Sequence, residues 1–391
     1  MKIVDVKTYP LMYWKDVPRI PRCFFLTKVI TDKGVFGFGE ASSTYGHCYP
    51  LVVQEIVEGT FKRILIGEDP LRIEHLITKM RTYVWGYLGA SGVSCQAIAA
   101  IEIALWDILG KVANQPVYKL LGGDKEAVEV YACGTVKFDV DPSWHCERFK
   151  KWLDKYGLKG IKIRVGNSKE WDEEFARAAR ELLGPERKLM IDAYMTYSPE
   201  TAMEMAQRFA SYSPYFLEEP LPQDDTESLA RISRMSPVPI ALGEHITSLH
   251  GFKEMVSARI GNIFQPDVTI AGGILEGSKI CSMAEAFSVR CIPHIGGLTA
   301  VGIAANLHLA LAHRNAKLLE IDPWEYQPLR DELLKDPIFN MEDMTDGMMK
   351  APEKPGLGVE IDEDVLEKYP YVKGTPMYPE DFFPNYGAGR L

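Results

Sequence analysis

The sequence is poor in several features that would have assigned its class at once. It has no dense Lys/Arg run, and its formal charge of −10 with a pI near 5.4 argues against a nucleic-acid footprint. An anionic substrate is not excluded, because local lysines and a metal can invert the field inside one pocket. Seven cysteines, at 23, 48, 95, 133, 146, 281 and 291, are odd in number and contain no Cys-x-x-Cys pair. With no secretory signal, this pattern reads as reduced core thiols in a cytoplasmic protein, and no chemistry is assigned to them. No long apolar span is found either. The most hydrophobic stretch, 97–111, is short and interrupted by Glu102 and Asp107, so it reads as a helix buried between layers and no membrane partner is expected. Short repeats and low-complexity segments are also missing.

What is present is a chain of 391 residues, 46% hydrophobic and 25% charged, enough for a barrel of about 200 to 250 residues and a second domain. The organising stretch is Phe216-Leu217-Glu218-Glu219-Pro220. Two carboxylates close a short apolar run and a proline follows, which places them where a buried strand ends and a loop begins. Asp192 ends a similar run upstream and Glu244 another downstream, at equal spacing. Lys162 and Arg164, Asp267, His294 and Glu320 extend the series in both directions.

This spacing suits repeated βα units feeding a parallel sheet, with eight strands near 128–133, 160–165, 188–192, 215–219, 239–243, 262–267, 289–293 and 317–321. Polar residues at the carboxyl ends of barrel strands read as catalytic. Residues 1–125 break the period. Runs at 2–7, 24–30 and 35–40 read as an antiparallel start to an α+β domain. Domains are therefore expected at 1–125 and 126–322, with 323–391 packing back on the N-terminal part. In that last segment the only strong strand candidate is 355–362.

Any one of these acids would usually be a solvated loop residue. Three in phase at neighbouring strand ends repel one another, so either a hard divalent cation sits among them or at least one is protonated, and Mg²⁺ is the simplest answer. Lys162 and Arg164 are two apart and face the same side, toward the barrel lumen. Burial near a guanidinium and a metal is expected to lower the pKa of Lys162 toward that of a base. Asp267 and His294 close successive strands on the opposite side and suit a His–Asp dyad. Glu320 is placed to exchange a proton with a substrate oxygen. Such a set fits removal of a proton next to a carboxylate, where a cation stabilises charge that develops in the transition state.

Lys-x-Arg164, Asp192, Glu218-Glu219-Pro220, Gly243-Glu244, Gln265-Pro266-Asp267, Pro293-His294 and Leu319-Glu320 follow Gly37-Phe38-Gly39-Glu40-Ala41 and the helix around Trp106. In that order they resemble the mandelate racemase subgroup of the enolase superfamily. The resemblance implies an α/β fold, a (β/α)₇β TIM-like barrel under an N-terminal α+β capping domain completed by the C-terminal segment. It implies Asp192, Glu218 and Glu244 as Mg²⁺ ligands, His294 with Asp267 as acid/base dyad, and Glu320 as a hydrogen-bonding stabiliser of the enolate. It also implies a homo-oligomer and a small-molecule carboxylate substrate. Two positions depart from the subgroup, which usually carries a second lysine where Arg164 stands and often an asparagine where Tyr194 stands.

The function expected from this set is dehydration of an acid sugar. A racemase, epimerase or lactone cycloisomerase using Lys162 opposite His294 is the alternative, and a non-catalytic metal-binding barrel a more distant one. Specificity is expected from cap loops at 13–20 and 42–50. Tyr45, His47 and Trp85 are candidates to meet distal hydroxyls, and His245 is expected to face away from the site by strand alternation.

Overall fold

The computed structural model describes residues 1–16, 19–42, 49–134, 137–323, 326–336, 344 and 346–375. The chain opens with an antiparallel sheet of β1 (Ile3–Asp16), β2 (Arg19–Thr31) and β3 (Phe36–Ala41), in that order. Pairing of β1 with β2 runs as far as Asp16 opposite Arg19. Residues 13–16 and 19–20 of the stretch expected as a loop are thus paired strand. Residues 17, 18 and 43–48, which include Tyr45 and His47, lie outside the described residues. Trp85 ends the helix Ile73–Trp85 and is 70% exposed.

The apolar stretch forms the helix Val93–Ala113. It is long and apolar enough to cross a membrane by length and composition, yet 83% of its apolar window is buried inside the protein. Its two acids act as joints. Glu102 accepts from the backbone N–H groups of Ile274 (2.6 Å) and Leu275 (2.8 Å), which open the barrel helix Ile274–Ala286. Asp107 accepts from the N–H groups of Phe38 (3.1 Å) in β3 and Leu357 (3.0 Å) in the C-terminal segment. Burying such carboxylates costs free energy unless donors meet them, and here each is met by more than one.

Eight parallel strands alternate with helices: β4 (Ala127–Cys133), β5 (Gly160–Arg164), β6 (Lys188–Asp192), β7 (Phe216–Glu218), β8 (Ile240–Leu242), β9 (Ile263–Phe264), β10 (Arg290–Cys291) and β11 (Leu318–Ile321). Their order around the sheet is β10-β9-β8-β7-β6-β5-β4-β11. A bridge between Cys291 and Ala316, with Cys291 N–H donating to Asn315 O at 3.0 Å, brings the two ends together into a nearly closed barrel. The strands are apolar along their length because helices cover their outer face and side chains fill the lumen.

The C-terminal segment adds β12 (Met348–Lys350), antiparallel to β4, and returns to the cap. There Met12 N–H donates to Tyr369 O (2.9 Å) and Tyr371 N–H to Pro10 O (3.0 Å). The strand expected at 355–362 does not form. Gly356, at φ 74°, presses against Gly110 so closely that a Cβ on Gly110 would stand 2.5 Å from its Cα. The segment divides its backbone groups among separate neighbours, Leu357 with Asp107, Gly356 with Gln115 and Val117, and the residues flanking Ile361 with Leu333 and Lys335, so only isolated bridges form and no ladder.

Candidate active site

The lumen is filled by Tyr131, Met190, Phe216, Ala241, Ile263, Ile292 and Leu318. Side chains two residues further along a strand point the same way, and at those positions stand Cys133, Asp192, Glu218, Gln265, His294 and Glu320. The apolar plug therefore turns polar at the carboxyl end of the barrel in one step. Pairing of Arg164 with Asp192 and of Asp192 with Glu218 sets these residues side by side. All eight residues predicted for the site are buried around this mouth.

Two groupings form within it. Lys162 Nζ lies 2.6 Å from Glu218 Oε1, 2.9 Å from Glu320 Oε2 and 3.4 Å from Asp192 Oδ2. Arg164 Nη2 lies 3.0 Å from Asp192 Oδ2. Across the mouth, His294 Nδ1 is 3.2 Å from Asp267 Oδ2, and its Nε2 is 3.0 Å from Glu244 Oε2. Asp267 is held in turn, its Oδ1 accepting from Thr269 N–H (2.9 Å), Thr269 Oγ1 (2.7 Å) and Asn306 Nδ2 (3.1 Å).

The electrostatics correct one expectation. Burial disfavours the charge on Lys162, but Glu218 and Glu320 outweigh it and hold its pKa well above the ordinary lysine value. In this ion-paired arrangement Lys162 favours its ammonium form, the reverse of the lowered pKa expected. Burial opposes charge at His294 as well, yet Glu244, Glu320 and Asp267 push it up to about 10. Glu244 is pulled to about 2 against its own burial, by His294, His245, Lys162 and Arg164. Burial and the charges of Asp192, Glu244 and Glu320 raise Glu218 well above the carboxylate range, with Lys162 opposing.

His245 departs from expectation more plainly. Strand β8 stops at Leu242, and Gly243, at φ 132°, turns the chain in a way that side-chain-bearing residues rarely adopt. Alternation is lost there, so Glu244 and His245 both face the mouth. His245 Nδ1 lies 2.8 Å from Glu219 Oε2 and 3.6 Å from Glu244 Oε1. Glu219 also accepts from Gln223 Nε2. Among the described residues, Glu219, Glu244 and His245 form the tightest trio of metal-ligating atoms, within 4.8 Å of one another. Asp192 and Glu218 instead take counter-charge from Lys162 and Arg164.

Tyr194 and Arg164, the two departures from the subgroup, meet in space. The Arg164 guanidinium lies 5.3 Å from the centre of the Tyr194 ring, a cation–π distance, and that ring tilts against His245 at 5.6 Å. Tyr194, Met195 and Glu219 have φ of 44°, 61° and 39°. Such strain at non-glycine residues persists only where surrounding contacts impose it. Here Tyr194 N–H donates to Asp192 Oδ1 (2.9 Å) and Met195 N–H to Glu219 O (2.6 Å).

Several contributors escaped the sequence reading. Gln265 Nε2 donates to Glu218 Oε2 (2.7 Å) and Tyr131 OH to Glu320 Oε2 (3.0 Å). Gln265 stands two before Asp267 and was findable by alternation. Asn306 lies inside the helix Ala300–Ala312 and carries no local signal.

The residue set fits a hard divalent cation. No donor among the described residues reaches either oxygen of buried Glu244 in hydrogen-bonding geometry, although His294 and His245 supply charge nearby. Asp192, Glu218 and Glu244 offer oxygen alone, the donor type Mg²⁺ prefers. Burial first and then the charges of Asp192 and Glu244 raise Glu218, and a cation among the three would relieve that repulsion.

Comparison with known proteins agrees along nearly the whole chain. Residues 145–365 match the enolase C-terminal domain-like family, and residues 21–122 match the mandelate racemase / muconate lactonizing enzyme N-terminal domain. An arabinonate dehydratase from Saccharolobus solfataricus is 35% identical over 382 residues, covering 94% of this chain and 99% of the relative. A D-galactarolactone cycloisomerase from Agrobacterium fabrum is 32% identical over 398 residues, with the same coverage of both chains. The crystal structure of a racemase from Streptomyces coelicolor A3(2) with bound magnesium superimposes with a TM-score of 0.85 at 26% identity, covering 94% of this chain and 100% of that one.

Proposed function

The chain belongs to the enolase superfamily, in its mandelate racemase and muconate lactonizing enzyme group, and from that premise we propose that it is a Mg²⁺-dependent acid-sugar dehydratase. Asp192, Glu218 and Glu244 would hold the ion, which when bound polarises the substrate carboxylate and stabilises negative charge developing on its oxygens.

The observation that carries this reading is the asymmetry of the mouth. One side presents a single imidazole, His294, oriented by Asp267. The other presents two cations, Lys162 and Arg164, both in ion pairs. Arg164 is effectively always protonated, and the ion pairs of Lys162 with Glu218 and Glu320 favour its charged form, so the face opposite His294 is the poorer proton acceptor. Two-base racemisation needs an acceptor on each face, whereas dehydration needs one group that takes a proton and returns it.

His294 in its neutral form takes the proton from C2, and the electron pair of that bond enters the enolate. The enolate then expels the 3-hydroxyl, which leaves as water with the proton that His294 gained, and the enol settles to a 2-keto-3-deoxy acid. Lys162 and Arg164 hold the carboxylate and its oxygens against the developing charge, and Glu320, kept ionised against its burial by Lys162 and His294, holds the Lys162 ammonium in place. Glu244 makes the largest of the charge contributions that raise His294. With that carboxylate committed to a cation, the contribution weakens and the imidazole moves toward the range of a working base.

A cycloisomerase is the second reading, favoured by the relative of that activity and by Lys162, whose fixed proton could be donated to a carbanion. Proton NMR in D₂O with Mg²⁺, run on a panel of aldonic and aldaric acids and their lactones, separates the two. A 3-deoxy keto acid supports the dehydratase. Lactone rearrangement, or exchange of the α-proton without loss of water, overturns it.

A further inference from the structure

The Gly37-Phe38-Gly39-Glu40 motif of the cap takes no part in the chemistry above, yet its geometry leads to the dyad. A Cβ on Gly37 would stand 2.1 Å from Ala104 O, and one on Gly39 2.0 Å from Ala100 O. The two glycines let β3 lie directly on the helix Val93–Ala113, and alternation sends Glu40 to the opposite face, toward the barrel. Glu40 is fully buried. Its Oε1 accepts from Thr299 N–H (3.1 Å), and its Oε2 accepts from Thr299 Oγ1 (2.5 Å) and Gly302 N–H (2.7 Å).

Those donors open the helix Ala300–Ala312, at the far end of the segment that leaves the barrel at His294. Further along the same helix, Asn306 Nδ2 donates to Gly302 O (3.1 Å) and to Asp267 Oδ1 (3.1 Å), while Asn306 Oδ1 accepts from Val268 N–H (3.1 Å). Asp267 Oδ2 faces His294 Nδ1 at 3.2 Å. An unbroken path thus runs from a cap strand, across the domain seam, to the imidazole. The Phe38 N–H goes instead to Asp107, and Ser42, directly after β3, makes a long 3.5 Å contact from its N–H to Thr269 O, beside the same dyad.

We infer that Glu40 is a positioning residue that makes alignment of the His294–Asp267 dyad depend on seating of the cap, through Thr299, the helix Ala300–Ala312 and Asn306. The kinetic half of this inference rests on the dehydratase reading, and the structural half does not.

The test compares Glu40→Gln with Glu102→Gln in the full-length Mg²⁺-loaded protein. Glu102 is the other buried cap acid that caps a barrel helix, and its bonds do not reach the dyad. The readouts are thermal midpoint, the NMR resonance of the His294 Nδ1 proton assigned by its loss in His294→Asn, and kcat and KM. Both variants should melt at lower temperature. Only Glu40→Gln should shift or broaden the Nδ1 proton and lower kcat, by about 10- to 100-fold with KM little changed, as for other residues that orient a reacting group at one remove. Should Glu40→Gln not fold, Thr299→Val removes one donor from the same carboxylate and should move the same resonance. Equal behaviour of the Glu40 and Glu102 variants, in resonance and in kcat, overturns the inference. If the wild type turns over none of the acids while the resonance responds to Glu40→Gln alone, the dehydratase reading fails and the positioning role stands.

Discussion

Replacing Asp267 by asparagine tests the acid/base assignment with little change of shape. Three donors converge on Oδ1, from Thr269 N–H, Thr269 Oγ1 and Asn306 Nδ2, and only Oδ2 faces the imidazole. An asparagine keeps all three by placing its amide oxygen at Oδ1, which turns its NH₂ toward His294 Nδ1. A donor there forces that nitrogen to present its lone pair, so the ring proton moves to Nε2. Nε2 is the atom that faces Glu244 and, in the proposed mechanism, the substrate. An imidazole with its proton on that atom cannot act as the base. Where a carboxylate fixes a histidine tautomer, such a change lowers turnover by about 10⁴, roughly 5 kcal/mol of barrier. The expected result is a loss of that size in α-proton exchange and keto-acid formation, with the thermal midpoint close to wild type because the Oδ1 bonds survive. Retention of more than about one-tenth of wild-type turnover would refute the argument, since a wrongly protonated ring leaves far less activity than that.

Three further outcomes are expected. Gly39→Ala places a methyl group 2.0 Å from the Ala100 carbonyl, a backbone atom that cannot swing aside, and should cost roughly 3 kcal/mol or more by denaturant melt, whereas Gly86→Ala, at φ −80° with open space around it, should cost little. Burial pushes Glu102 from 4.5 up to about 8 against its backbone donors, so the folded state favours its protonated form. That stabilisation is complete below about pH 4.5 and is lost as pH rises through about 8, so thermal midpoints should fall across this window in wild type and vary less in Glu102→Gln. Tyr194→Leu should weaken calorimetric binding of a small hydroxy acid by about three- to fivefold, the size of a partly exposed cation–π contact, while Tyr194→Phe leaves it unchanged. Equal loss in both variants would show that the phenol, and not the ring face, supports Arg164.

The sequence by itself determined the barrel and the rim on which the candidate residues gather, because both rest on period. Side chains alternate along a strand and βα units recur at near-constant length, so polar residues at successive strand ends mark one rim of one ring. Asp192, Glu218, Asp267, His294 and Glu320 could be read in this way without coordinates, as could the burial of the helix around Trp106. Tertiary structure decided whatever depends on distance in space between residues remote in the chain. It paired Lys162 with Glu218 and Glu320, which raises its pKa where burial alone would lower it. It turned the chain at Gly243 and brought His245 to Glu219 against the expected alternation. It laid Arg164 over Tyr194, joining two unrelated departures into one contact. It drew Leu357 onto Asp107, so that a strand-like run became a tether. Periodicity reports which way a side chain points, and electrostatics within a buried site depends on what it meets there. Only the folded chain supplies that.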